Sequence, residues 1–183
     1  MPVGIRRSIA LVVRKPLRAR EQAERVGKEI RRVLQRGAFR IEADAKRRAP
    51  VNFGRLRSSI DTQGPDQVGT AVVFKVTVGA AYGKFVEFGT GPAGKRSALL
   101  PIAQQAMREL GYVHGPGDFF PPVRQIELWA TRRKIPEEAV WVIARAIGRR
   151  GIPAQPFLFP AFERERPRIV GELLDAVRRA VAT

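Results

Sequence analysis

Cysteine is absent from the 183 residues, and histidine occurs once, as His114. The first absence excludes disulfides, thiolate nucleophiles and Cys-based zinc sites, so a core has to come from apolar side chains, which make up 44% of the chain. The second leaves no histidine cluster for a metal. Long hydrophobic runs are missing near the amino end: "SIALVV" follows Arg6 and Arg7 but stops at Arg14 and Lys15. That is too short to span a bilayer, and no small-residue cleavage site follows. The stretch reads as a strand or packing arm (1–15), and the protein as soluble and cytosolic, without membrane contact. Acidic residues are scarce, 17 Asp and Glu against 34 Lys and Arg, for a net charge of +17.

The positive charge is uneven. Residues 1–57 hold 17 basic and 5 acidic side chains, a net +12, whereas 58–183 hold 17 and 12, a net +5. Such a field draws polyanions by counterion release without specifying a base sequence. Nucleic acid, an acidic protein surface and an anionic membrane are all compatible with it. Arginine outnumbers lysine 27 to 7, which fits GC-rich coding, adaptation to heat or planar phosphate contacts.

Hydrophobic periodicity divides the chain. From Pro16 to Arg48, Ala19, Ala23, Val26, Ile30, Val33, Gly37 and Ile41 recur in steps of three and four, one stripe on a long helix that Pro50 ends. Glu21–Arg25 and Glu24–Lys28 add i,i+4 pairs, and Gly37 is the candidate break. A helix of that length exceeds what a small domain needs, so part of its stripe is expected to meet another subunit. In "AVVFKVTVGA" the period becomes two, with Val72, Phe74, Val76 and Val78 on one side and Val73, Lys75 and Thr77 on the other. Ile60 and Thr62 begin a partner strand. The class is therefore α+β, a small antiparallel sheet packed on a long N-terminal helix (16–91). An insertion (92–151), rich in Gly and Pro over 92–122, carries a short helix at Ile102–Leu110. Two more follow, the first with Val123, Ile126, Leu128 and Trp129 on its apolar face and the second opening at Pro136. A C-terminal helical segment (152–183) has Ile169, Val170, Leu173, Leu174, Val177 and Val181 as its buried stripe and Pro167 as a kink. All of this reads as one domain.

"VEFGTGPAGKRS" (86–97) satisfies two nucleotide patterns, G-x-G-x-x-G through Gly89, Gly91 and Gly94 and G-x-x-x-x-G-K through Gly89, Gly94 and Lys95. A phosphate loop needs a hydroxyl after the lysine to ligate magnesium, and Arg96 stands there. It also needs a helix facing the phosphates, and Pro101 intervenes within seven residues of the last glycine. The dinucleotide reading lacks the crossover to a parallel strand. Gly89 and Gly91 instead suit a sharp turn with positive φ. No catalytic, cofactor-binding or metal site emerges. His114 reads as a solvated loop residue, and Glu137 and Glu138 as a helix start. Glu87, an acid in an apolar run, reads either as a salt bridge across a subunit contact or as an exposed strand residue. The 123–148 helix pair has the outline of a helix-turn-helix, but consecutive Trp141, Val142 and Ile143 leave little polar face, so the tryptophans are assigned to packing together or against the sheet.

Three segments together resemble the tail-completion or neck proteins of long-tailed, siphovirus-type bacteriophages: "RRAPVNFGRLRSSI" (47–60), "AAYGKFVEFGTG" (80–91) and "IPAQPFLFPAFE" (152–163). Asn52-Phe53 departs from the Asp-Thr usual in that family, and the stretch between Gly91 and Ile152 is longer than in its compact members. The resemblance implies a non-enzymatic structural virion protein without cofactor. It would form a homo-oligomeric ring, six-fold in the family, at the head–tail junction, assembled in the host cytoplasm. Its partners would be neck, head-closure and tail-terminator or tail-tube proteins, with nonspecific contact to DNA in the channel. Val26, Ile30, Val33, Glu87, Phe88 and Phe157 are the interface candidates, with Leu158 and Phe162 assigned to the core. Arg47, Arg48, Arg55 and Arg57 are the candidates for DNA or an acidic neighbour. The alternative is a sequence-independent nucleic-acid-binding protein with no virion role.

Overall fold

The computed structural model describes residues 20–51, 54–69, 71–115 and 123–182. The arm at 1–15 and the helix start at Pro16 lie outside the described residues. Helix α1 runs Arg20–Arg48 without interruption, about 43 Å at 1.5 Å per residue. Its basic last turn, Lys46, Arg47 and Arg48, complements the helix dipole. The short α2 (Arg55–Ser58) leads into β1 (Ile60–Val68), which pairs antiparallel with β2 (Ala71–Val78). Pairing shifts between Gln63 and Asp66, where Gly64 and Pro65 together stand opposite Phe74. Gly64 allows this with φ of 120°, and a Cβ there would lie 2.7 Å from the Val73 carbonyl. Val72, Phe74, Val76 and Val78 join the main core, as the alternation predicts. Val73, expected on the opposite face, is buried as well.

Short helices α3 (Gly83–Phe88) and α4 (Gly91–Lys95) precede α5 (Pro101–Glu109), then α6 (Val123–Arg132), α7 (Glu138–Arg150) and α8 (Leu158–Ala182). The α+β class holds. Helices α6 and α7 form a hairpin around a small core of their own, Ile126, Ala130, Val140 and Ala144. Trp129 is half-buried there under Arg133, whereas Trp141, expected to pack with it or on the sheet, is exposed. Leu128, expected on the apolar face, is exposed too.

Helix α8 lies antiparallel along α1. As α1 advances from Gly37 to Asp44, its partners on α8 recede from Ile169 to Arg164. Arg40 holds the pair together through Glu165 at 2.8 Å and Glu172 at 3.2 Å. Burial would raise the Glu172 carboxyl, but Arg40 and Arg168 outweigh it and keep it below the ordinary glutamate range. Pro167 sits inside α8 without ending it. Ile169 and Leu173 face the core as expected, whereas Val170 and Leu174 are exposed, because α1 covers only one side of a wide apolar arc.

This packing gives most of the described α1 stripe to the chain's own C-terminal helix, leaving half-exposed Val26 as the part still open to another subunit. Ile30, Val33 and Ile41 are buried within the chain's own core, together with Ile169 and Leu173 of α8. Gly37 is not a break but a contact: a Cβ there would lie 2.6 Å from Cγ1 and Cδ1 of Ile169. In an unencumbered helix Gly→Ala stabilises by about 1 kcal/mol, while overpacking costs about 1–3 kcal/mol. Gly37→Ala is therefore expected to destabilise by roughly 1 kcal/mol in urea unfolding, and to stabilise by a similar amount when Ile169→Ala has made room. The same sign in both backgrounds would count against close helix packing at this point.

Candidate functional site

The glycine-rich tract 89–97 and the segment 151–163 come together, 60 to 70 residues apart in sequence. Gly83 lets α3 approach the end of β2, since a Cβ there would lie 2.7 Å from Val78 Cγ1. Past α3, the backbones of the two tracts touch. A Cβ on Gly89 would lie 2.7 Å from the Ala154 nitrogen and the Ile152 oxygen, and one on Gly151 only 1.9 Å from the Thr90 oxygen. Gly89 and Gly151 also have φ of 75° and 73°, so no other residue type suits either place. Hydrogen bonds zip the tracts: Thr90 N–H donates to the Ile152 carbonyl (2.8 Å), Ile152 N–H to Thr90 Oγ1 (2.9 Å) and Gln155 N–H to the Val86 carbonyl (2.8 Å). Ser97 Oγ accepts from Ala154 N–H at 2.9 Å.

At the centre is Glu87, fully buried on α3. Its Oε2 accepts the backbone N–H groups of Phe157 and Leu158, both at 2.9 Å, and its Oε1 that of Phe159 at 3.1 Å. These are amides at the start of α8, which a helix leaves without internal partners. "AQPFLF" places no Ser, Thr, Asp or Asn there to cap them locally. A carboxylate from 70 residues upstream does so instead, where the N-terminal end of the dipole favours negative charge. Burial pushes the Glu87 carboxyl up, the Leu158, Phe157 and Phe159 amides pull it down, and the net shift is upward.

The far end of α3 is closed as carefully. The Phe88 carbonyl accepts from His114 Nε2 at 2.9 Å, and the Gly89 carbonyl from the Tyr112 hydroxyl. His114 is thus a half-buried structural donor rather than a solvated loop residue. The Phe88 ring lies 5.2 Å from Tyr112 and 6.0 Å from Phe159, and burial raises the Tyr112 hydroxyl. Sequence alone gives Tyr112 and His114 no such role; their one signal is a position in a Gly-rich tract after a helix.

The sequence-assigned interface residues fall mostly inside the subunit. Glu87, Phe88 and Phe157 are buried at this junction, Ile30 and Val33 under α8, and Leu158 is in the core as assigned, with Phe162 half-buried against it. Of the six interface candidates only Val26 is half-exposed. Glu87 makes neither a salt bridge across a subunit contact nor an exposed strand position; it is a helix cap. The arginines divide. Arg48 donates to buried Asp44 at 2.9 Å and Arg47 at 3.1 Å, with Arg164 Nη1 3.8 Å from the same carboxylate. Burial would raise Asp44, but Arg48 and Arg47 outweigh it and hold it below the ordinary aspartate range. Arg55 and Arg57 on α2 are exposed. Lys95 and Arg96 are exposed on the edge of α4, and the apparent phosphate loop is a five-residue helix in a packed junction. Among the described residues no group of three or more His, Asp or Glu could hold a metal ion, and no helix is long and apolar enough to cross a membrane.

All three segments of the phage resemblance meet in this core: Leu56 and Ile60 from the first, Phe88 from the second, Phe157 and Leu158 from the third. Residues 16–89 match the model of the HK97-gp10-like family, described as "Bacteriophage HK97-gp10, putative tail-component". The chain carries an HK97-gp10-like segment. No curated protein and no solved structure matches it. The HK97-gp10-like segment ends two residues past Glu87, so its last acidic side chain reaches out of the matched region to start the C-terminal helix.

Removing the Glu87 charge tests the junction. Glutamine keeps one acceptor oxygen but turns an NH2 group toward backbone donors, so Glu87→Gln is expected to destabilise by about 2–3 kcal/mol. The native carboxyl titrates above its ordinary value of 4.5, so the native state binds more protons between those two points. Its stabilisation is full below the unfolded value and declines as pH rises through the native one. Denaturant unfolding from pH 4 to 7 should therefore show a flatter profile over that window in Glu87→Gln than in the parent; parallel profiles would contradict the assignment.

Proposed function

We propose that the protein is a structural component of a phage tail or neck that assembles as a ring of its own copies at the head–tail junction, around the DNA passage and in contact with neighbouring neck, head-closure or tail proteins. The observation that carries this reading is the HK97-gp10-like segment locked by Glu87 to the C-terminal helix. The buried acid is spent on architecture: its two oxygens accept three helix-start amides and leave no proton-transfer role open. A protein built to hold shape around a passage needs such rigidity more than it needs a reactive group.

The ring contact falls on surfaces left after folding. Val170 and Leu174, one turn apart on the outer side of α8, and Phe39 on α1 are exposed apolar side chains, and Val26 extends the same possibility toward the start of the described helix. A cyclic contact of this kind covers a different patch on each side and closes without an open edge. DNA contact falls to Arg55 and Arg57, with Arg47 contributing its largely exposed side chain. Arg48 is committed to Asp44. These contacts go to phosphates, since passing DNA is not held by base readout.

Light scattering and negative-stain imaging of the protein, alone and with flanking virion proteins, are expected to show rings that Leu174→Glu with Val170→Glu abolishes while the fold is kept. Persistent monomers under all of these conditions would end the ring proposal. Duplex binding should weaken with salt, and Arg55→Ala with Arg57→Ala should reduce the slope of log K against log salt by about 2. Steep salt-dependent binding without any assembly would favour the second reading, a nucleic-acid-binding protein outside the virion.

A further inference from the structure

The hairpin of α6 and α7 lies outside the HK97-gp10-like segment, and neither the sheet nor the Glu87 junction needs its outer side. Its own core, Ile126, Ala130, Val140 and Ala144, occupies the inner face of α7. Opposite that core, the outer face carries Trp141 at 62% exposure and Val142 at 69%, followed one and two turns later by exposed Arg145 and Arg149. At 3.6 residues per turn these four share one stripe, with Glu138 at its start. A tryptophan with arginines at helical spacing is the composition of an interface anchor rather than of a solvated face. The helix dipole accounts for Arg149 and Arg150 in the last turn. It does not account for Arg145, which stands in mid-helix four residues before Arg149, a like-charge spacing that weakens an isolated helix.

We infer that this face of α7 is a docking site for an acidic, amphipathic helical segment of another protein. Trp141 and Val142 would meet its apolar stripe, and Arg145 and Arg149 its carboxylates. Charge argues for the occupant. A second copy carries 34 Lys and Arg against 17 Asp and Glu, a net charge of +17, which opposes its approach to a pair of arginines. Nucleic acid gains nothing from Val142, the most exposed member, and meets Glu138 at the head of the stripe. An acidic helix satisfies both the apolar pair and the arginines. The site is also held firmly: α7 ends at Gly151, whose backbone packs on Thr90 beside the Glu87 junction, so the helix is displayed from a fixed base and little ordering is lost on binding.

The test uses the full chain and three probes: an 18-residue synthetic helix with leucines at i, i+3, i+4 and i+7 and glutamates between them, the same composition with the leucines shuffled, and an oligothymidylate of equal length. The amphipathic peptide is expected to bind and shift tryptophan emission to the blue. Arg145→Glu with Arg149→Glu, or Trp141→Ala, should each weaken binding by about tenfold or more, an order of magnitude in Kd. Arg25→Glu with Lys28→Glu on α1 should not, and melting temperatures should stay near the parent's because every altered residue is exposed. The inference is overturned by equal binding of the shuffled peptide, by an oligothymidylate that depends on the same residues more strongly than the peptide does, by self-association that Trp141→Ala removes, or by no peptide binding at all. Of these results only self-association bears on ring formation as well; peptide and oligothymidylate binding leave it untouched, since it is read from assembly.

Discussion

The placement of the C-terminal helix depends on one buried carboxylate meeting one helix start. Glu87 lies fully buried, where an unpaired charge would be prohibitive, and the amides of Phe157, Leu158 and Phe159 make the position tolerable. Those amides equally need an acceptor. Each solves the other's desolvation problem, and the solution holds only if α3 and residues 151–157 approach to backbone contact. Gly89 and Gly151 permit that approach, and Phe88, Tyr112 and Phe159 wall it off from water. The consequence is that α8 is placed, and α8 in turn seals α1.

Sealing α1 changes where association can occur. A long amphipathic helix beside a small sheet suggests, from its length alone, apolar surface that only a neighbouring copy could cover. The C-terminal helix covers it, with Ile169 seated over Gly37 and Arg40 bridging Glu165 and Glu172. What remains exposed is spread over several elements by contrast, Phe39, Val170, Leu174, Trp141 and Val142 among it. Intramolecular burial has first claim on an apolar stripe because it needs no association entropy, so an interface is built from what folding leaves over. Charge follows a similar hierarchy, with Arg48 committed to buried Asp44 and Arg47 bonding the same carboxylate from a largely exposed side chain.

Much of the architecture was legible in residue order. The three-and-four spacing from Val26 to Ile41 marked α1, the alternation at 72–78 marked β2 and its core face, and Arg96 ruled out a phosphate loop. The candidate site was legible only as a set of motifs. Glu87 could be flagged as an acid in an apolar run, but both of its readings failed, since a cap supplied 70 residues upstream of its helix has no local signature. Val170 and Leu174 misled because a periodic stripe states which residues share a face and not how wide a face the neighbour covers. Trp141 misled because a tryptophan is usually expected inside, and the small α6–α7 core filled itself with Ile126 and Val140.

Sequence by itself determined the local matters: the longer helices, though not the short α2, α3 and α4, which strand alternates, that there is no thiol and only one histidine, that Arg96 stands where a phosphate loop needs a hydroxyl, and that the amino third is strongly basic. These follow from neighbours within a few positions or from composition, so no fold is needed to read them. Only the tertiary structure decided which apolar side chains are sealed, which arginines are already paired, and that "FVEF" and "PFLF" are two halves of one junction. Those outcomes depend on residues dozens of positions apart competing for the same space and the same hydrogen bonds, and that competition is settled in three dimensions.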